Sequence, residues 1–358
     1  MMTRLLSGDL PRSRALGALL LLIFLGLAFA PFLTSGERAL GTAATICVYI
    51  VLVASYDLLL GYTGIVSFAH TMFYGIGAYG IGLGLAAVDE PTWTTVVTGL
   101  GLALLLALVL ALVIGLFALR VRAIFYAMIT LAVASSFAVL ASQLSDFTGG
   151  EDGKTFSVPE VLTPGHSFME NEILGRSIDG KLLTYYLVFL GCVLLFLFLL
   201  RLVNSPFGRV LQAIRENEFR AEALGYRTVV YRVWANVVAA LVAALAGALM
   251  ALWVRYVGPD NTLGFKVMTD ILLIVVIGGM GTMYGAVIGA TLFILAQNYL
   301  MGLMEKASSA LEGVPLLAAA LHPDRWMLWL GVLFILSIYF FPIGIVGKLR
   351  LRSQLARR

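Results

Sequence analysis

Apolar positions in this chain fall in long unbroken runs, not in the short alternations of a soluble strand or the one-faced stripes of a soluble helix. The runs lie at about 15–33, 40–60, 63–87, 93–119, 122–143, 181–201, 229–257, 268–280, 282–303 and 325–346. A helix needs about 20 apolar residues to cross a hydrocarbon core of about 30 Å. The stretch 268–303 is too long for one straight crossing, so it is predicted to form two shorter segments that turn near Gly281. The expected fold is therefore all-α: a polytopic integral membrane protein with about ten transmembrane or half-membrane helices. Residues 1–346 are read as one membrane domain, followed by a basic tail at 347–358. Polar residues gather mainly in two connections, 144–180 and 203–228.

Composition agrees with this pattern. Of 358 residues, 61% are hydrophobic and 12% charged, which excludes a soluble globular chain. The net charge of +4 calls for a topological explanation before a nucleic-acid one. Arg4, Arg12, Arg14, Arg120, Arg122, Arg201, Arg209, Arg215, Arg220, Arg227, Arg232, Lys348, Arg350, Arg352, Arg357 and Arg358 fall on one side of a ten-crossing path. They outnumber the basic residues of the other side by about two to one, so that side is predicted to be cytoplasmic, with both termini on it. The connection 144–180 is then external. Ala28-Phe29-Ala30 resembles a signal-peptidase site, but Pro31 follows it directly and a retained first span is expected. Cys47 and Cys192 lie inside apolar runs and are read as small hydrophobes.

The connection 203–228 departs most from the hydrocarbon text around it. Pro206 suits a first helical position, with Ser205 as N-cap and Gly225 as terminator. Phe207, Val210, Leu211, Ile214, Ala221 and Leu224 recur at helical spacing and predict one apolar stripe along a helix over 206–224. Arg209, Arg215, Glu216, Glu218, Arg220 and Glu222 fill the other faces. Such a helix fits a groove in a soluble partner or lies on the lipid surface. The pattern Gly208-x4-Ala213-x-Arg215-Glu216-Asn217, closed by Leu224-Gly225, resembles the coupling loop of ABC-importer permeases, most closely the branched-chain amino-acid uptake family.

Other motifs were weighed in the same way. Gly149-Gly-Glu-Asp-Gly-Lys-Thr155 places three residues, not four, between Gly149 and Gly153 and follows no strand, so no nucleotide site is expected there. Gly75-Ile-Gly-Ala-Tyr-Gly80 has the spacing of a dinucleotide fingerprint but sits in an apolar run, where glycines serve close helix packing. The stretch from Gly61 and Gly64 through Ser67 and His70 to Gly75-x-Gly77-Ala78-Tyr79 resembles the same family, as does the glycine ladder Gly281, Gly285, Gly289, which is expected on one helix face. Ser67, His70, Thr71 and Tyr74 bring polar atoms into a glycine-interrupted span. They are candidates for the substrate path, beside the plainer reading of a helix–helix hydrogen bond. Without a carboxylate neighbour in sequence, His70 is expected to be neutral. Asp57 and Arg255 are placed near span ends, where long or polar side chains reach the interface, and Asp270 is expected to open its helix.

The resemblance covers about residues 40–346, and the extended N-terminus and the loop after the fifth span are similar to the family's LivM-type half. It implies a bacterial inner-membrane importer, working by alternating access, that takes up branched-chain or other hydrophobic amino acids. It also implies a LivH-type second permease, two cytosolic LivG/LivF-type ATPases that carry the ATP and Mg, and an external substrate-binding protein. Under it the ATPase contact comprises Phe207, Gly208, Arg209, Ala213, Ile214, Arg215, Glu216, Asn217, Ala221, Leu224 and Gly225, with no cofactor, metal or catalytic residue in this chain. Urea, amides and aromatic acids are open alternatives as substrates, as is an ATP-independent channel. The topology has a direct check. Single cysteines at Ser157 and Ser353, in a background lacking Cys47 and Cys192, are expected to differ on intact cells, with only the first labelled by an impermeant reagent. Equal labelling, or labelling at 353 alone, overturns the ten-crossing path.

Overall fold

The computed structural model describes residues 14–33, 36–118, 123–165, 179–310, 322–341 and 344–348. The expectations for 1–13, most of the tail and 166–178 of the polar loop lie outside the described residues. Helices α1 (Arg14–Ala28) and α2 (Ala30–Leu33) are followed by α3 (Glu37–Thr63), α4 (His70–Ala86), α5 (Trp93–Ala118) and α6 (Ala123–Gln143). Beyond the short α7 (Ser145–Thr148) and strand β1 (Lys154–Thr155) come α8 (Gly180–Val203), α9 (Pro206–Glu216), α10 (Glu218–Ala223) and α11 (Thr228–Val254). Strand β2 (Tyr256–Val257), α12 (Pro259–Thr262), α13 (Phe265–Gly278), α14 (Met283–Ala310) and α15 (Trp326–Phe340) complete the order. Among the described residues, eight segments are long and apolar enough to cross a membrane, with Pro259–Gly278 counted as one. Adding α1 and the 17-residue α4 gives the expected all-α, roughly ten-helix architecture.

Burial sorts these helices. The apolar window of α3 is 83% buried inside the chain, whereas that of the 323–348 span, which contains α15, is 12% buried. A helix apolar all round and unburied by its own chain faces lipid or another membrane chain. The centre is made by α3, α4 and α11, and α4 packs most extensively on α11. Their backbones nearly touch there. A Cβ on Gly77 would lie 1.8 Å from the Ala244 carbonyl oxygen, and one on Gly247 would lie 1.9 Å from that of Tyr74. In lipid, where apolar burial gives helices little reason to associate, such close approach supplies the dispersion contacts that hold them together. The glycines of the dinucleotide-like motif thus serve packing.

At one end of the bundle β1 pairs antiparallel with β2, Lys154 opposite Val257. Arg255, in the left-handed conformation at the end of α11 (φ 59°), donates from Nη2 to the Leu162 carbonyl at 2.7 Å. The polar loop is therefore tied to α11. Lys154 of the P-loop-like stretch donates to the Phe147 carbonyl at 2.8 Å, so its ammonium is spent on its own loop. Near the Ala28–Ala30 site, the Tyr186 hydroxyl donates to the Ala28 carbonyl at 3.0 Å and holds the end of α1 against α8.

Two expectations about breaks in the helices need correction. The predicted turn near Gly281 is present, with 279–282 non-helical between α13 and α14. Gly281 itself, at φ 78°, lies in that turn and so leaves the helix-face ladder, while Gly285 and Gly289 pack on α13. Asp270 does not open its helix: α13 begins at Phe265, so Asp270 lies more than a turn inside. Crowding at the α4–α11 contact predicts a sharp mutational contrast. Gly77→Val or Gly247→Val should destabilise the purified chain by about 1–3 kcal/mol or more, because no rotamer removes a clash with backbone. Gly101→Ala, with open space at that position, should leave the thermal midpoint unchanged or raise it. Equal midpoints for all three variants contradict this packing.

Candidate functional site

The segment after α8 forms two helices where the stripe predicted one. Asn217 is extended (φ −161°) and caps α10, its Oδ1 accepting from the Arg220 N–H at 2.9 Å. Asn favours this role because its short side chain competes for backbone partners. Ser205 caps α9, accepting from the Gly208 N–H, with Pro206 in the first turn. The orientation also differs from expectation. Leu211, Ile214 and Ala221 are buried against the chain's own membrane helices. Phe207 is half-buried, with its ring stacked 5.7 Å from that of Tyr231. Gly208 backs onto Val203, whose carbonyl oxygen would lie 2.2 Å from an added Cβ. Most of the apolar stripe therefore seats the segment on the bundle.

What faces outward is a different set. Arg209, Ala213, Glu216, Asn217 and Gly225 are exposed. Leu224 is 72% exposed and Phe219, which the helical stripe does not include, is 85% exposed. Helix α10 is fixed beneath them by Glu218, which accepts from both terminal nitrogens of Arg232 at 2.5 and 3.0 Å. The Thr228 hydroxyl donates to Glu222 at 2.8 Å. A fully exposed phenylalanine over a braced short helix is costly in water unless something covers it. The helix break at Asn217 rotates α10 out of register with α9, and a single-helix template could not find Phe219.

Arg215 is exposed with them, yet its guanidinium reaches back to the bundle. Its Nη1 donates to the carbonyl oxygen of Gly61, in the last turn of α3. The Gly281 N–H, in the turn between α13 and α14, donates to both carboxylate oxygens of Asp57 at 2.9 and 3.1 Å. Gly61 and Gly281 lie so close that a Cβ on the first would meet the nitrogen of the second at 2.3 Å. Asp57 is 2% exposed, which corrects the expectation of a carboxylate reaching the interface from a span end. Since α3 runs on to Thr63, Asp57 has nearly two turns of helix between it and the terminus. A buried carboxylate demands donors, and an open turn with unpaired N–H groups supplies them. Three segments distant in sequence thus meet at one joint.

The candidate path residues divide. Ser67, His70 and Thr71 are each at most 2% exposed. His70 Nε2 lies 2.9 Å from the Ser55 hydroxyl and 3.2 Å from the Leu52 carbonyl, and the Tyr56 ring sits 5.2 Å from the imidazole. The carbonyl only accepts, so the geometry calls for the proton on Nε2. The Ser55 hydroxyl in turn donates to Leu52 at 2.8 Å. This pins the start of α4 to the middle of α3, as the packing reading of the sequence has it. Tyr74, one turn farther along, is buried too, yet it also lines a cavity between α3, α4, α11 and α13. Among the described residues, no group of three or more His, Cys, Asp and Glu side chains is placed to hold a metal ion.

With this arrangement in view, the relatives are informative. The family of branched-chain amino acid transport system permease components matches residues 38–337. The chain belongs to this family. The high-affinity branched-chain amino acid transport permease LivM of Salmonella typhimurium is 28% identical to it over 82% of this chain and 71% of that protein. LivM of Escherichia coli is also 28% identical, over 86% and 74% respectively. LivH of Salmonella typhimurium is 25% identical over 84% and 91%. No solved structure matches the chain. The permease thus has likeness to both kinds of membrane subunit in such systems. His70 gives this site its test. His70→Leu should lower transport severalfold and His70→Gln should lower it less, since Gln keeps a donor for the Leu52 carbonyl. Wild-type transport by the Leu variant reduces His70 to a space-filling role.

Proposed function

We propose that this permease is half of the translocation path of an ABC importer for branched-chain and other hydrophobic amino acids, paired with a LivH-type second permease. The reading gives it an external binding protein for substrate and two cytosolic ATPases that bind ATP and Mg, and none of these groups is held by this chain. Both termini and the 203–228 segment are cytoplasmic in this reading, and loop 144–180 is external. It is a transport subunit in a bacterial inner membrane, and the chemistry of ATP hydrolysis belongs to its partners. The family's LivM and LivH members, named for this transport, support the substrate class.

The observation that carries the mechanism is the joint of Arg215 with Gly61 and of Asp57 with Gly281. A partner that grips Phe219, Leu224 and Ala213 would move α9 and α10 as a braced pair. Arg215 would pass that displacement to the end of α3, and the Asp57 contact would pass it to the turn before α14. A lever needs stiff members, and hydrogen bonds to a buried carboxylate are among the stronger ones available. His70 and Ser67 then act at the start of α4 as the hinge side of the path, with Tyr74 at its opening.

Two substitutions separate docking from transmission. Phe219→Asp should abolish ATPase binding, because it places a charge where an apolar ring must be covered. Arg215→Ala should leave the ATPases bound and lower substrate-stimulated ATP hydrolysis by about tenfold, the equivalent of about 1.4 kcal/mol. Co-purification and ATP hydrolysis in the reconstituted complex read the two effects. Normal stimulated hydrolysis in both variants defeats the proposed coupling route.

A further inference from the structure

The geometry points to a binding site for the zwitterionic backbone of a free amino acid in the cavity bounded by α3, α4, α11 and α13, with Asp270 receiving the α-ammonium and Lys266 the α-carboxylate. This inference rests on the importer reading above and adds the residues that would meet the substrate in this chain. The cavity has a volume of about 650 Å³, within the range of about 300–1,000 Å³ usual for small-molecule sites. Lys266 and Asp270 both line it and stand one helical turn apart on α13, so their Cβ atoms are about 5–6 Å from each other. Among the described residues the two form no ion pair within 4.0 Å. Opposite charges that line one cavity without pairing to each other suit a ligand that carries both charges on one carbon.

The surroundings fit the rest of such a ligand. Gln297 of α14 and Tyr49 of α3 line the same cavity as Asp270 and bring polar atoms to its wall. Met250 and Val254 of α11 line the same cavity and supply apolar wall for a side chain. Asp270 is half-buried and Lys266 exposed, so the carboxylate forms the inner contact and the flexible ammonium the outer one. A carboxylate on a membrane helix is costly and usually marks a pathway or a partner. The interior placement of Asp270 removes the helix-terminus explanation that its sequence position suggested. The cavity reaches Tyr256 of β2 and Asp260, Asn261 and Thr262 of α12, at the end of the bundle read as external.

Protection of a cysteine tests the site in the assembled transporter, with both permeases and both ATPases. The probe residue is Val254→Cys in a background lacking Cys47 and Cys192, labelled by a small charged thiol reagent. L-leucine at ten times its dissociation constant should slow labelling by about an order of magnitude, because protection follows the fraction of sites left empty. Removing one charge from the ligand should mimic removing its partner from the protein. Asp270→Asn should weaken leucine by about tenfold or more while leaving 4-methylpentanoate, which lacks the ammonium, unchanged. Lys266→Gln should do the same for leucine while leaving 3-methylbutylamine, which lacks the carboxylate, unchanged. Asp270→Glu should restore most of the leucine protection. A merely structural role for these residues lowers protection by all three compounds alike, and that result overturns the site. Leucine uptake without any leucine protection also overturns it and leaves the importer reading intact. Protection by leucine in a transporter that takes up no branched-chain amino acid upholds the site and defeats the importer reading.

Discussion

A carboxylate buried in a membrane bundle is the constraint around which this permease is arranged. Asp57 stands well inside α3, where an ionised oxygen without donors would cost several kcal/mol. Helices cannot satisfy it, because their own N–H groups are already bonded. A break in a helix offers free backbone donors at that depth, and the 279–282 turn is such a break. The turn in turn needs Gly281, because its φ of 78° is a conformation that other residues adopt at a cost. Asp57 and the glycine turn therefore require one another. Arg215 reaches the same place from α9, so opposite charges converge on one pair of glycines.

That joint explains why the amphipathic stripe faces inward. A coupling segment that floated on the lipid surface could bind a partner but transmit nothing. Burying Leu211, Ile214 and Ala221 against the bundle leaves α9 and α10 little freedom of their own. The Glu218–Arg232 pair adds a brace whose worth is modest because it is only part-buried. In the proposed importer, partner recognition would fall to the residues left outside, chiefly Phe219 and Leu224. The same division holds in α4. Gly77 and the polar group at Ser67 and His70 are used for packing against α11 and α3, while Tyr74 and Ala78 line the cavity.

Much of this was legible in the chain. Hydrocarbon runs separated by glycine and charge gave the helices, because bilayer thickness leaves a spanning segment little choice of length. The turn near Gly281 followed from the same length argument. The errors arose where a side chain's fate depends on tertiary partners. Asp57 lies seven residues before Gly64, and position alone could not say that α3 continues past it while another turn comes to meet it. The stripe of 206–224 assumes unbroken helical periodicity, and past the Asn217 cap Ala221 stays buried while Leu224 turns outward. Asn is a favoured N-cap residue, but Asn217 lacks the Glu or Gln three positions on that strengthens the signal, since Arg220 stands there. The apolar run starts at 268, which puts Asp270 at its opening, whereas helix α13 begins earlier, at Phe265.

Helix α13 connects the two ends of this argument. It carries Lys266 and Asp270 near its start and runs into the Gly279–Gly281 turn at its finish, about 21 Å away for 14 residues. A straight helix of four turns behaves as a stiff rod, so a shift of the turn by Arg215 and Asp57 must appear at the other end as a tilt or a slide. Such a tilt changes the distance from Asp270 to Tyr49 and Gln297, which sit on helices with other attachments. The two proposed sites are then linked thermodynamically. If the position of α9 alters the affinity of the cavity, an occupied cavity must bias the position of α9 by the same free energy. A transporter that hydrolyses ATP only when cargo is present needs such reciprocity. A single short helix between the two sites is enough to supply it.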